Sequence, residues 1–297
     1  MFVSENMICV DNLISIKKYG SDLYKIVLHK KPVRMSGYEL ENSDDENILD
    51  VGKFDGKSNC NLARARSTVF ELAYCNQWDW FFTGTLSVNN GDRSNLDEFR
   101  KKFTQFIRNE RRRINCDINY LLVPELHSDM QNWHFHGLIS GLPVEHLEQF
   151  RKGMKMGKHI ADKVNNGDII YNWTRYEKKF GWCDLEPIKN NEAVSKYLTK
   201  YITKTIMDSA AGRGVKESEK NLYYCSQGLN RSQEIKKGVP MTAITDTLNW
   251  DYENEYIFSL STKDINLVET LLDSIVDVKP NVNIKNMTNF ISNRHEI

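Results

Sequence analysis

The feature that most constrains the fold is a pair of apolar runs around a short polar turn. INYLLVPELHS (118–128) leads into DMQN, and WHFHGLISG (133–141) follows. Each run has the length and the β-branched and aromatic content of a strand, so the pair reads as an antiparallel hairpin. In a strand, side chains at i and i+2 share a face. His134 and His136 therefore point one way and Phe135 the other, while Glu125 and His127 share a face of the preceding strand. A turn over residues 129–132 makes paired numbers sum to 261, which sets His127 opposite His134 and Glu125 opposite His136. Cross-strand neighbours lie roughly 4.5–5.5 Å apart at Cβ.

Two imidazoles and a carboxylate on one face suit a divalent cation held at roughly 2.0–2.2 Å, with positions left open for substrate. A ligating imidazole must be neutral and is steered by an acceptor on its other nitrogen. A bare His-x-His also arises from half-buried strand histidines with ordinary hydrogen bonds. The glutamate on the facing strand is what favours the metal reading, with His134, His136 and Glu125 as ligands. His127 is the less secure member, with a supporting or DNA-contact role.

The rest of the chain alternates strands and helices. NLISIKKYG and LYKIVLHKK read as strands, and GYELENSDDENILDVGKFDGKSN as an acidic loop. LARARSTVFELAYCN is helical, with Leu62, Val69, Leu72 and Ala73 at helix spacing, and WDWFFTGTLSV is a strand. NLDEFRKKFTQFIRNERRR is an amphipathic helix with Phe99, Phe103, Phe106 and Ile107 on one stripe. VEHLEQFRKGM reads as a helix, IIYNWTRYEKKFGWCDLEPI as strand-rich, and NEAVSKYLTKYITKTIMDS as a long helix. LYYCSQGLNRS is an edge segment, and a last helix lies near INLVETLLDSIVD. The expected class is α+β, an antiparallel sheet of about five strands carrying the histidines with helices packed on it. The expected division is a strand-rich extension and acidic linker (1–56), a central domain (57–240) and an acidic extension (241–297).

The 297 residues carry 40 Lys and Arg against 40 Asp and Glu, but unevenly. From Lys57 to Lys237 there are 29 basic and 21 acidic residues, a net of +8, and the remainder holds 11 against 19, a net of −8. A basic middle suits a polyanion, because each neutralised phosphate releases counterions. The candidates for phosphate contacts are Arg100, Lys101, Lys102, Arg111, Arg112 and Arg113, with Arg175, Lys178 and Lys179; the same clusters also fit solvated helix faces.

The long helix carries a second constellation. Tyr197 and Tyr201 are four apart and so lie one turn apart on one face, with Lys196, Lys200 and Lys204 at the same interval beside them. Tyrosine is a poor nucleophile at neutral pH, since its free pKa is about 10. It becomes useful against a phosphorus polarised by a metal, with positive charge nearby. An amphipathic helix with Tyr in the core and Lys in solvent gives the same spacing.

Taken together, FFTGTLS (81–87), PELHSDMQNWHFHGLI (124–139) and YLTKYITK (197–204) resemble, in order, the three motifs of the HUH (His-hydrophobe-His) endonucleases. Among these the chain is similar to the rolling-circle replication initiators (Rep) of single-stranded DNA phages and of phages and plasmids of Gram-positive bacteria. The resemblance covers roughly residues 62–235. It implies metal ligation by His134, His136 and Glu125, and nucleophilic tyrosines at Tyr197 and Tyr201 with a lysine at Lys200 or Lys204. It also implies a Mg²⁺- or Mn²⁺-dependent nickase and strand transferase that acts on single-stranded origin DNA through a 5′-phosphotyrosine. A host polymerase would extend the freed 3′ end. GMKMGKH (153–159) falls short of G-x-x-x-x-G-K-[ST], so a host helicase is expected as well. The alternatives are an HUH transposase or relaxase with the same chemistry, a non-catalytic origin-binding protein, and a metal-dependent hydrolase with structural tyrosines.

The cysteines at 9, 60, 75, 116, 183 and 225 form no CxxC pair, which suits reduced thiols. No apolar run approaches the roughly 18 residues of a membrane helix. MFVSENMICVDNL lacks a basic then apolar leader pattern, so a cytoplasmic location is expected.

Overall fold

The computed structural model describes residues 7–36, 38–40, 57–90, 92–127, 132–210 and 222–280. It confirms a mixed α+β chain with antiparallel sheets. The chain divides into two compact units, residues 55–231 and a unit made of residues 1–54 with 232–297.

In the central unit the sheet has seven strands, all antiparallel. Their order is Tyr224–Cys225, Asn119–Leu126, Trp133–Ser140, Trp80–Thr85, Cys183–Pro187, Tyr171–Asn172 and Glu148–Gln149. The four longer strands form the middle, and three two-residue strands extend the edges. Asn119–Leu126 (the glutamate strand) and Trp133–Ser140 (the histidine strand) form the expected hairpin. Their register is two residues from the expected one: Glu125 pairs with His134 and Val123 with His136. The His127 N–H closes the loop onto the Asn132 carbonyl at 2.7 Å, so the strands begin to pair only at Leu126 and Trp133. A two-residue slip leaves every side chain on its original face.

Each face of this sheet is covered by helices whose apolar stripes were legible. Helix Leu96–Ile114 buries Phe99, Phe103, Phe106 and Ile107 against Phe82, Leu122, Phe135 and Ile139. Asn95 caps it, accepting from the Glu98 N–H at 3.0 Å, and Asp97, Glu98 and Arg111–Arg113 match its dipole. The opposite face, which carries the histidines, packs Leu121, Val123 and Leu138 against helix Lys57–Tyr74 and helix Asn191–Ala210, the tyrosine helix. Val69, Leu72, Leu198 and Ile202 seal that contact, and each such burial stabilises by about 1.5–3 kcal/mol. Asn191 ties the two helices together, donating to the carbonyls of Ala73, Tyr74 and Asn76 at 3.4, 3.3 and 3.1 Å.

Gly137 follows His136 because nothing larger fits: a Cβ there would stand 2.4 Å from the Leu121 carbonyl oxygen. Gly137→Ala is therefore expected to destabilise the protein by about 1–3 kcal/mol, read as a shift in urea midpoint. An unshifted midpoint would show that the hairpin has slack at this point.

Two local expectations are corrected. VEHLEQFRKGM is a 3-10 turn (Val144–His146) followed by the edge strand Glu148–Gln149, because Leu147 turns extended and the next residues pair with Tyr171 and Asn172. The helix lies further on, at Lys158–Asn165, with Ile160 and Val164 buried one turn apart. IIYNWTRYEKKFGWCDLEPI is not continuous strand; helix Thr174–Lys179 interrupts it, with Tyr176 buried.

In the other unit, both terminal segments share one sheet. Its order is Tyr252–Glu253, Ile257–Thr262, Leu23–His29, Ile14–Tyr19, Gln233–Pro240, Ile275–Pro280 and Tyr38–Leu40. Ile14, Ile16, Ile26 and Leu28 alternate inward against Val268 and Leu271 of helix Ile265–Asp273. The segments read from sequence as separate extensions thus form one body. Gln233–Pro240, grouped from sequence with the central domain, pairs with Ile14–Tyr19 instead. Most of the acidic stretch 37–59 lies outside the described residues. Among the described residues no helix is long and apolar enough to cross a membrane.

Candidate active site

On the histidine face, one carboxylate meets two imidazoles. Glu125 is 2% exposed, and its Oε2 lies 2.9 Å from His134 Nε2 and 2.7 Å from His136 Nε2. The contact to His136 has hydrogen-bond geometry, whereas the buried His134 Nε2 has no hydrogen-bond partner despite its distance. Two ring nitrogens converging on one carboxylate oxygen, one of them unsatisfied, form an uncomfortable polar cluster in a buried place. A cation resolves it, taking a lone pair from each ring and charge from the carboxylate. The three donor atoms lie within 4.8 Å of one another, so Glu125, His134 and His136 form a possible metal-binding triad.

His136 is held from its other side. Strand Trp80–Thr85 pairs with the histidine strand so that Thr83 faces His136 and Thr85 faces His134. Thr83 Oγ1 is 3.5 Å from His136 Nδ1. On the next strand Asp184 pairs with Thr83 and hydrogen-bonds its side chain. An ionised Asp184 can only accept, so the Thr83 hydroxyl donates to it and offers its lone pair to an Nδ1–H. That proton placement leaves Nε2 of His136 unprotonated, as a metal ligand requires. Asp184 is 6% exposed, and burial pushes its carboxyl up to about 7; Glu186 adds to the rise, while Lys163 and the Thr83 hydrogen bond oppose it.

The tyrosines reach this cluster. Leu198 and Ile202 turn into the core, which leaves Tyr201 at the helix edge with its ring stacked on His136, centroids 3.8 Å apart and planes at 17°. Tyr201 donates its hydroxyl to Tyr197 Oη at 2.6 Å. Burial raises the Tyr201 phenol well above its ordinary value, and the hydrogen bond to Tyr197 reinforces the rise. Tyr197 is 43% exposed, with Lys200 Nζ 5.5 Å from its ring centre. Lys196 pairs with Glu192 at 2.8 Å. Lys204 lies on the same helix, and its side chain is outside the described residues.

Other expected site residues are not brought here. His127 is exposed beyond the end of the glutamate strand, its ring 5.6 Å from that of His134. Arg100, Lys101, Lys102, Arg111, Arg112 and Arg113 sit on the helix that covers the opposite face of the sheet. Arg113 and Arg175 hold the buried carboxylate of Glu110 at 2.8 and 2.7 Å, and Arg111 donates to the Ile118 carbonyl at 2.8 Å. Arg100 pairs with Asp97 and Lys102 with Glu98. Lys101 and Arg112 are exposed. Sequence reading missed Thr83 as a partner of His136, and it missed Asp184. The signal for Asp184 was the alternation in WCDLEP, which sets Asp184 and Glu186 on the face opposite to Cys183 and Leu185.

This fold and triad define a mixed α+β protein with a buried carboxylate–imidazole cluster beside a tyrosine pair. Residues 79–206, which hold every member of that site, match the family model of the replication-associated protein ORF2. The match supports a replication-initiator family and DNA as the partner. No curated protein and no solved structure matches the chain.

Proposed function

We propose that the protein nicks and rejoins single-stranded DNA at a replication origin, as an HUH endonuclease of rolling-circle replication, through a tyrosine–phosphate intermediate. The observation that carries this reading is the packing of Tyr201 on His136, with Tyr197 hydrogen-bonded to Tyr201 at 2.6 Å. It puts two phenol oxygens beside a triad suited to a divalent cation. Glu125, His134 and His136 would hold Mg²⁺ or Mn²⁺, with Thr83 and Asp184 fixing the His136 ring. When bound, the cation supplies positive charge to the phosphate oxygens at the reacting centre.

The chain's own residues supply the rest. The Tyr197 oxygen attacks phosphorus and gives up its proton; the 3′ oxygen leaves and takes one up. One phosphate ester is exchanged for another, so the energy of the broken bond is kept for rejoining. Lys200 offers charge to the phosphate from beside Tyr197. The second tyrosine cuts the regenerated origin after one round, and the released 3′-hydroxyl attacks the first phosphotyrosine to close a circle. A host helicase opens the duplex and a host polymerase extends the 3′ end.

The test is adduct formation on labelled single-stranded oligonucleotides tiled across the DNA that flanks the coding sequence. With Mn²⁺ a detergent-stable protein–DNA adduct is expected, and with EDTA none. His134→Ala is expected to lower its yield by about 10²-fold or more, since even residues that only orient a metal ligand cost 10–100-fold. Cleavage without adduct, unchanged in the Tyr197→Phe/Tyr201→Phe double variant, would make the protein a hydrolase and end this reading.

A further inference from the structure

Beside Tyr197 the histidine face opens into a cleft of about 530 Å³. That is the size of a small-ligand site. Its walls include Phe81, Lys163, Glu186, Lys189, Asn190 and Tyr197. The Phe81 ring is half-buried, 5.5 Å from the Tyr197 ring and stacked at 21° alongside His136. Phe81 and Glu186 are direct cross-strand partners, so ring and carboxylate share one patch of sheet. Lys163, from helix Lys158–Asn165, bonds that carboxylate at 2.8 Å, and both side chains stay about 30% exposed. Lys189 stands exposed at the rim, just before the tyrosine helix begins.

We propose that this cleft is a nucleotide subsite of the DNA strand, taking the base next to the scissile phosphate. The inference rests on the reading of Tyr197 as the residue that meets that phosphate. The three parts of a nucleotide each find a counterpart. Phe81 offers a ring face for stacking, which is indifferent to base identity. The Lys163–Glu186 pair offers a donor and an acceptor side by side, the chemistry that reads a base edge: an ammonium to the guanine O6 and N7, a carboxylate to the cytosine amino group. Lys189 offers a positive charge at the rim for the neighbouring backbone phosphate. A half-exposed ion pair gains little from its own attraction, so exchanging it for contacts to a base costs little. The subsite therefore gives the nick its sequence preference at one position, and it does so with residues that the triad and the tyrosines do not use.

The test separates binding from chemistry. The Tyr197→Phe/Tyr201→Phe double variant, which leaves DNA intact, selects bound sequences from a pool of fully randomised single-stranded oligonucleotides. Lys163→Met and Glu186→Gln are each placed in the same background and put through the same selection. The expected result is a motif in the parent and the loss of preference at one position in both variants, the other positions being unchanged. Phe81→Leu is expected to weaken binding of the selected oligonucleotide by about 10-fold, within the range for one stacked base. Lys163 and Glu186 are half-exposed, so their variants keep the test valid if Phe81→Leu fails to fold. An identical motif in all proteins, or no motif in the parent, overturns the subsite. Selection of a motif that the wild-type protein binds but never joins to tyrosine would end the strand-transfer reading and leave the cleft as a binding site.

Discussion

Tyr197→Phe is expected to slow the first round of adduct formation by on the order of 10³-fold or more, and Tyr201→Phe by only about tenfold. Removing a nucleophile outright leaves only the catalysis that binding and charge supply, which is why the first loss is deep. The two phenols differ in ways that assign the order. Tyr197 is 43% exposed, whereas Tyr201 is stacked on His136 at 3.8 Å and must leave that ring to present its oxygen to a strand. Burial raises the Tyr201 phenol far from any pH at which it would ionise. Tyr201 also donates its proton toward Tyr197 Oη, and a donor aimed at an oxygen strengthens as that oxygen gains negative charge. Tyr201 therefore helps Tyr197 in the first cut, and losing one such hydrogen bond accounts for about tenfold. Its own nucleophilic turn comes once Tyr197 is esterified and can no longer accept in the same way. Single-turnover adduct rates on one oligonucleotide, with each variant alone, read both numbers. A deeper loss in Tyr201→Phe than in Tyr197→Phe would reverse the order, and equal losses would mean the pair acts as one unit.

The parts of this site that could be read from sequence share a property: their geometry is local. Alternation along two strands fixes which residues share a face, so Glu125, His134 and His136 were found together although the register was two residues off. The turn chemistry set that error, because the loop closes between His127 and Asn132 instead of within residues 129–132. A slip of one residue would have sent Glu125 to the other face and broken the reading. The tyrosine pair was legible for the same reason, being one helical turn. Asp184 and Lys163 were not, because they reach the site through sheet order. Their strand and helix come after a long excursion, and nothing near WCDLEP announces that it will lie beside FFTGT. The basic clusters failed differently. Sequence shows charge but not which face of the sheet a helix covers, nor that the buried Glu110 inside the helix would occupy Arg113 and Arg175. The joining of Ile14–Tyr19 to Gln233–Pro240 across more than two hundred residues carries no local signal at all.

The largest stability effect is expected at Asp184, and it runs against the usual direction for an acid. Most carboxylates are held below their ordinary value in a fold, so proteins gain stability as pH rises past it. Burial puts Asp184 at about 7, above the 3.8 of a free carboxyl. The folded state thus prefers the neutral acid. Below about pH 4 the group is neutral in both states and costs nothing. Between pH 4 and 7 the unfolded chain ionises while the folded one resists, and stability falls; above pH 7 the loss is complete. At 1.36 kcal/mol per unit, the full difference is on the order of 4 kcal/mol. Asp184→Asn keeps a polar group against Thr83 and removes the ionisation. In protein stripped with EDTA, its unfolding temperature is expected to exceed that of the parent at pH 8, and the two are expected to converge toward pH 4.5. Differential scanning calorimetry across that range reads the slope directly. Parallel curves for parent and variant would show that Asp184 is ionised in the fold at every pH. The same substitution is expected to weaken Mn²⁺ binding by about 10–100-fold, since the amide can donate to Thr83 and so permit the wrong proton on His136. A side chain that costs the fold stability near neutral pH and yet supports a metal ligand is the pattern of a residue held in place by function.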